Sequence, residues 1–121
     1  MDAEELKERT KTFALRTIRM CQDLPKNYIG EVMGKQALRS ATSVGANYRA
    51  ACRARSQAEF SAKLQIVIEE VDESAFWLEV IEESGLLPKE RLSDLRKEAD
   101  ELTAIFVSSR KTVTRNLHTK R

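Results

Sequence analysis

The sequence predicts an all-α fold, an antiparallel up-down-up-down four-helix bundle that occupies residues 1–121 as a single domain. The composition supports this, because 41% hydrophobic and 33% charged residues with only four Gly and two Pro leave too few breakers for a turn-rich β fold. Apolar residues recur at steps of three and four along four long segments. In the third segment this heptad line is Phe60, Leu64, Val67, Val71, Ser74, Leu78 and Ile81, and in the fourth it is Leu92, Leu95, Ala99, Leu102, Phe106, Ser109 and Val113. The links between these segments are short, so consecutive helices are expected to be antiparallel neighbours.

The helix boundaries follow from capping and breaking residues. Asp2 is placed to cap the first helix, and Pro25 ends it. Ser56, three residues before a glutamate, has the form of a capping box for the third helix. Gly85 is suited to end that helix, and Pro88 to open the fourth. The helices are therefore predicted over about residues 3–24, 29–52, 57–84 and 88–117, with residues 118–121 frayed.

The second helix is unusually slender. Between Leu38 and Tyr48 its largest apolar side chain is Val44. Its predicted inner line is Ile29, Met33, Gln36, Ser40, Val44, Asn47 and Ala51. Gly34 and Gly45 each cost a helix about 1 kcal/mol relative to alanine. A close helix crossing or a bend at Gly45 would account for them, and an exposed surface of Ser and Thr without a role is the alternative.

The centre of the chain resembles a known family. It reads Gln36-x-x-Arg39-x-Ala41-x-Ser43-Val44-x-x-Asn47 and continues as Arg55-Ser56-x-x-Glu59-Phe60-x-x-x-Leu64. This stretch is similar to the four helix bundle protein family, which includes proteins encoded in intervening sequences of bacterial 23S ribosomal RNA genes. The similarity extends through Glu73 and Leu78 to Gly85. Residue types and spacing match together over most of the chain.

The resemblance implies a left-handed bundle that assembles into ring-like homo-oligomers, namely pentamers, with no enzymatic activity. Related accessory proteins of diversity-generating retroelements use such a ring to bind a reverse transcriptase and nucleic acid. The chain departs from the family where many members have Asn-Ile-Ala-Glu-Gly, since it reads Asn47-Tyr48-Arg49-Ala50-Ala51. A more basic helix end replaces the Glu-Gly turn, so no role of that turn is carried over.

Charge is unevenly distributed along a chain whose net charge is only +2. Residues 49–63 carry +3 and residues 107–121 carry +5, whereas residues 64–101 carry −8. In the predicted topology the two basic segments share one end of the bundle, together with the acidic start of the first helix. Cations at helix C-termini also favour the helix dipole, which is the simpler explanation. The predicted nucleic-acid-binding residues are Arg49, Arg53, Arg55, Lys63, Arg110, Lys111 and Arg115.

The third helix carries a second apolar line beside its core-facing one. A helix of a monomeric bundle buries a single stripe of roughly 100°. The additional residues therefore predict a homo-oligomer interface formed by Ile66, Phe76, Trp77 and Val80. The alternative is that Trp77 covers the end of the core.

The acidic residues of the third helix favour a structural ion pair over a metal site. Di-iron bundles use Glu-x-x-His pairs, and the only histidine, His118, lies near the C-terminus. Glu73 is instead predicted to turn partly inward and pair with Arg39 as a structural ion pair. No catalytic residue, metal ligand, cofactor or small-molecule substrate is predicted.

The sequence thus predicts a non-enzymatic oligomeric scaffold that binds RNA or a nucleoprotein partner through a basic pole. The alternative is an adaptor that binds only protein, with arginines that serve solubility and internal pairing. No apolar stretch approaches the ~20 residues of a membrane span. Because the N-terminus is also acidic and polar, a cytoplasmic location without a membrane partner is expected.

Overall fold

A computed structural model describes residues 1–119 of the protein, and these residues form four α-helices and one 3₁₀ turn. The helices are α1 (Ala3–Gln22), α2 (Tyr28–Cys52), α3 (Gln57–Glu83) and α4 (Ser93–Thr119), with the 3₁₀ turn at Lys89–Arg91. No strand occurs in this part of the chain. The prediction of an all-α, four-helix bundle is confirmed.

Each helix packs against its neighbours in chain order. The contact between α2 and α3 is the most extensive, and that between α1 and α4 is the least extensive of the four neighbouring pairs. The α1–α2 pair is antiparallel, because Gly45 lies against Thr10 and Gly34 against Cys21. The left-handed twist stays a prediction.

Side chains at the helix starts accept the free backbone N–H groups, as predicted for two of them. The Asp2 carboxylate accepts a hydrogen bond from the Glu5 N–H at 2.8 Å, and the Ser56 hydroxyl accepts one from the Glu59 N–H at 3.1 Å. Asn27 caps α2 in the same way. The helices therefore begin where the sequence provides an acceptor.

The link between α3 and α4 differs from the prediction. Gly85 has a φ of 76° and follows the last turn of α3, as expected for a helix-ending glycine. Pro88, however, opens a 3₁₀ turn in which Arg91 N–H donates to the Pro88 carbonyl at 2.9 Å, and α4 begins only at Ser93. At its other end α4 continues to Thr119, two residues past the predicted end at residue 117. The fraying of residues 118–121 stays a prediction, and residues 120–121 lie outside the described part.

The core lies along the axis of the bundle and follows the predicted heptad line of α3 closely. In α2 the predicted line is buried at Ser40, Val44 and Ala51, but its first position is not. Ile29 is exposed and Gly30 is buried instead. A Cβ atom at Gly30 would collide with the carbonyl of Pro25, so only glycine fits at this position. Most of the buried residues in this helix are small, including Ala37 and Ala41, and Tyr48 is the one large exception. The small residues of α2 thus let α1 and α3 approach on two sides.

The core ends before α4 does. Phe106 is fully buried, but no residue of α4 from 107 to 119 is buried. Ser109 and Val113 continue the heptad line and are only half-buried. The last turns of α4 therefore pack beside the start of α3 and present much of their surface outward. In the part of the chain that the structure describes, no helix is apolar over a length that could cross a membrane.

Candidate nucleic-acid interface

The predicted basic residues lie at one end of the bundle, where α2 ends, α3 starts and α4 ends. We call these seven residues the basic pole: Arg49, Arg53, Arg55, Lys63, Arg110, Lys111 and Arg115. Lys63 and Arg110 are half-buried, and the other five are exposed. The short link of residues 53–56 places Arg49, Arg53 and Arg55 near the start of α3. Arg110 of α4 contacts Ser61 at the same end. The structure thus brings together cations that are 66 positions apart in sequence.

Within residues 1–119, no carboxylate lies within ion-pairing distance of any of the seven side chains. Several arginines elsewhere are paired across helices. Arg9 contacts Glu98 at 2.7 Å, and Arg96 contacts Glu82 at 3.1 Å. The charge of the basic pole is therefore not neutralised by contacts inside the described chain.

The acidic residues at the start of α1 lie at the same end of the bundle, but several of them contact other residues of α1. Glu4 pairs with Lys7 and Glu8 with Lys11, each at 3.1 Å and three residues apart on α1. The carboxylate of Asp2 caps the helix. These acids consequently subtract less from the basic pole than the sequence alone suggested.

Arg110 is the most firmly positioned cation of the pole. Its Nε–H donates to the backbone carbonyl of Ser61 at 3.2 Å, and the hydroxyl of Ser61 lies 3.2 Å from that of Thr114. These contacts join the last turns of α4 to the second turn of α3. They leave both terminal nitrogens of the guanidinium without a hydrogen-bond partner in residues 1–119.

A groove of about 660 Å³ runs between α3 and α4 beside these contacts. We call it the α3–α4 groove. It is lined by Gln65, Ile68, Val107, Arg110, Lys111, Thr114, Arg115, His118 and Thr119. Three of the seven residues of the basic pole therefore line one concave surface, a relationship that sequence periodicity did not predict.

A buried aromatic pair that the sequence did not predict lies at the same end of the bundle, with Tyr48 directly before Arg49 in α2. The rings of Tyr48 and Phe106 pack with centroids 5.2 Å apart, and both residues are buried. The pKa of the Tyr48 phenol is raised well above its usual range, mainly by burial and secondly by the nearby Cys52. The heptad line of α4 predicted a buried Phe106. Tyr48 was missed because the predicted inner line of α2 contained its neighbour Asn47 instead.

The structure contains the predicted ion pair between Arg39 and Glu73, which lies at the surface of the bundle with Glu73 only partly covered. The Arg39 side chain is 52% exposed and that of Glu73 is 36% exposed. A second contact joins Arg39 Nη1 to Glu70 Oε2 at 3.6 Å. The pair lies on the outside because Ser40 and Ser74, which bond to each other at 3.1 Å, occupy the interior positions beside it.

The second apolar line of α3 is present on the surface. Phe76 is 54% exposed and Ile66 is 42% exposed, whereas Trp77 and Val80 are half-buried. The rings of Phe76 and Trp77 meet edge to face with centroids 5.0 Å apart, and the Trp77 indole N–H donates to Glu73 at 3.1 Å. Trp77 also packs against the edge of the core, so it contributes to both surfaces.

The two cysteines are free thiols and both are half-buried. Burial raises the pKa of the Cys21 thiol to about 11. Its sulfur lies 3.6 Å from the carbonyl oxygen of Gly34, at the close contact of α1 with α2. Cys21 therefore acts as a small packing residue.

Comparisons with known proteins agree with this architecture. The family described as 23S rRNA-intervening sequence protein matches residues 4–108. A crystal structure from Bacteroides thetaiotaomicron VPI-5482, of a protein with unknown function from the S23 ribosomal protein family, is 33% identical in sequence. It superposes with a TM-score of 0.81 over 87% of this chain and 97% of that one. Curated proteins give no match. The resemblance predicted from the central stretch is confirmed, and the chain belongs to the 23S rRNA-intervening sequence protein family.

Proposed function

We propose that the protein is a non-enzymatic oligomeric scaffold that binds RNA, alone or in a nucleoprotein, through its basic pole. The observation that supports this proposal is that, within the described residues, the cations of the basic pole lack carboxylate partners, whereas several arginines elsewhere have them. The seven side chains of the pole have no carboxylate partner in residues 1–119, whereas Arg9, Arg39 and Arg96 at other sites are paired between helices. Unpaired cations that converge at one end are the electrostatic footprint of a phosphate-binding surface.

Oligomer formation would multiply this surface. The exposed line of α3 offers an apolar contact with Phe76 at its centre, and a symmetric assembly would repeat the basic pole at each subunit. Each phosphate neutralised releases condensed counterions, so affinity is expected to grow with the number of cations engaged and to fall with added salt. A ring with several poles would thereby bind one RNA far more strongly than a single bundle.

The experiment is a charge-matched comparison of two triple variants. One carries Arg49→Ala, Arg53→Ala and Arg55→Ala at the basic pole. The other carries Lys26→Ala, Lys35→Ala and Lys89→Ala, which are exposed lysines in or near the opposite end of the bundle. Fluorescence anisotropy with a labelled RNA of mixed sequence gives the affinity at several salt concentrations. Both variants lose three positive charges, so a difference between them reports position and not net charge.

We expect the pole variant to bind RNA more weakly. The plot of log association constant against log salt concentration should become shallower, its slope smaller in magnitude by about 2. The lysine variant is expected to keep affinity and slope close to those of the parent. Light scattering should give both variants the same mass as the parent. Equal effects of the two variants, or no RNA binding by the parent at low salt, would leave a protein-only adaptor as the function.

A further inference from the structure

We propose that the α3–α4 groove holds unpaired nucleotides, so that the basic pole binds single-stranded RNA in preference to duplex RNA. This inference rests on the proposed RNA binding and specifies its ligand. The groove lies within the pole, and its volume of about 660 Å³ is in the range of sites that enclose small molecules, about 300–1,000 Å³. Its lining combines an apolar floor with a cationic rim.

The floor is formed by Ile68 of α3 and Val107 of α4. Both are half-buried, so each keeps part of its side chain accessible in the groove. Thr114 contributes to the same surface one turn of α4 beyond Arg110. Phosphates gain nothing from such a floor, whereas the flat face of an unpaired base removes apolar surface from water when it lies there.

The rim is formed by three cationic side chains of α4, namely Arg110, Lys111 and Arg115, with the imidazole of His118 beyond them. No acidic residue lines the groove, and none follows Glu101 in the sequence. Lys111, Arg115 and His118 lie on successive turns, so they follow the edge of the groove for about 10 Å. The rim thus offers positive charge along the path of a backbone whose base lies on the floor.

Arg110 is prepared for this role by its contact with Ser61. The bond from Nε to the Ser61 carbonyl holds the guanidinium in place, and the two terminal nitrogens keep their donors. A fixed fork of donors loses little conformational freedom when it binds a phosphate. Gln65 on the opposite side of the groove adds an amide side chain that contacts Glu69 at 3.1 Å.

A duplex cannot use this combination. In A-form RNA the bases are stacked inside the helix, and the backbone and the 2′-hydroxyls face the protein. Only an unstacked base presents an apolar face that fits the floor while its phosphates reach the rim. Because the floor is aliphatic and not aromatic, the preference for single strands is expected to be modest.

The test compares three probes of equal length: a single-stranded 15-nucleotide RNA, its duplex with the complement, and the same sugar–phosphate strand without bases. At low salt we expect the single strand to bind about fivefold more tightly than either of the others. The variant Ile68→Asn with Val107→Asn should lose this margin and retain its affinity for the strand without bases. Leu15→Asn, an exposed apolar residue of α1, is the matched control and should change nothing.

A milder pair, Ile68→Thr with Val107→Thr, keeps the branched shape of the side chains and serves if the asparagine variant does not fold. A duplex or a strand without bases that binds as tightly as the single strand would overturn the inference and leave the proposed function intact. So would floor variants that keep the full margin. Failure of all three probes to bind would overturn the proposed function and the inference together.

Discussion

Arg39 of α2 and Glu73 of α3 form an ion pair on the outside of the bundle, where more than half of the arginine side chain meets solvent. Glu73 also accepts the indole N–H of Trp77, and Arg39 lies 3.6 Å from Glu70. The Glu70 oxygen in that contact, Oε2, is buried and has no hydrogen-bond partner in residues 1–119, whereas the side chains of Arg39 and Glu73 are 52% and 36% exposed. The pair therefore joins two helices at the surface and does not place a charge in the core.

Replacement of Arg39 by methionine should accordingly have a small effect on stability. Exposed ion pairs contribute little, so we expect the thermal unfolding midpoint to fall by no more than about 4 °C. The control is Lys35→Met, at an exposed lysine of the same helix that has no ion-pair partner within residues 1–119. A fall of more than about 10 °C in Arg39→Met alone would contradict the surface position of the pair.

The bond between Trp77 and Glu73 should make stability depend on pH. The indole N–H and then the Arg39 guanidinium lower the pKa of Glu73 below its ordinary value of 4.5. A lowered carboxyl pKa stabilises the fold above the ordinary value, and this contribution is lost as the pH falls through the folded-state pKa. Trp77→Phe should thus lose more stability at pH 7 than at pH 2.5 when urea midpoints are compared. The packing lost with the indole affects both pH values alike, so a gap that does not change with pH would contradict the prediction.

The close crossing of α1 and α2 should make Gly45 sensitive to size. A Cβ atom at Gly45 would lie 3.3 Å from the Thr10 hydroxyl oxygen. Gly45→Leu should therefore push the helices apart and lower the free energy of unfolding by about 1–3 kcal/mol, measured by urea denaturation. Ala46→Leu tests the adjacent exposed position and should stay within about 0.5 kcal/mol of the parent. Similar losses in the two variants would show that the crossing is not the cause.

The exposed line of α3 should decide the oligomeric state. We expect the parent to be an oligomer at micromolar concentration and Phe76→Asp to shift it toward the 13.8 kDa monomer, as measured by light scattering. A carboxylate at the centre of an apolar contact would be buried without a partner. Leu15→Asp, at an apolar residue of α1 that is 43% exposed, should keep the parental mass. A monomeric parent would remove the oligomer from the proposed function.

Much of the fold could be predicted because local signals agreed with one another. The heptad line of α3 and the caps at Asp2 and Ser56 are properties of short segments, and the structure reproduces them. The 3₁₀ turn after Pro88 could not be predicted from the proline, since a proline suits the first turn of either helix type. The position of the link between α3 and α4 depends on contacts with the core and not on local propensity.

The candidate site could be predicted only in outline. The topology placed the cations at one end, but the groove requires Ile68 and Val107 to face each other, which depends on how α3 and α4 are rotated about their axes. The surface position of the Arg39–Glu73 pair could not be predicted for the same reason, because consecutive residues of a helix lie about 100° apart and its rotation decides which of them faces inward. Sequence patterns determine faces more reliably than the edges between them.

The slight contact between α1 and α4 has a consequence for the order in which the bundle forms and opens. Helices α2 and α3 share the largest contact and are joined by only four residues, so their hairpin closes a short loop at little entropic cost and is the expected folding nucleus. The seam between α1 and α4 joins the two ends of the chain, with Arg9 and Glu98 across it, and should form last. The same seam should open first under native conditions, so backbone amides of α1 are expected to exchange with solvent deuterium faster than those at the centres of α2 and α3.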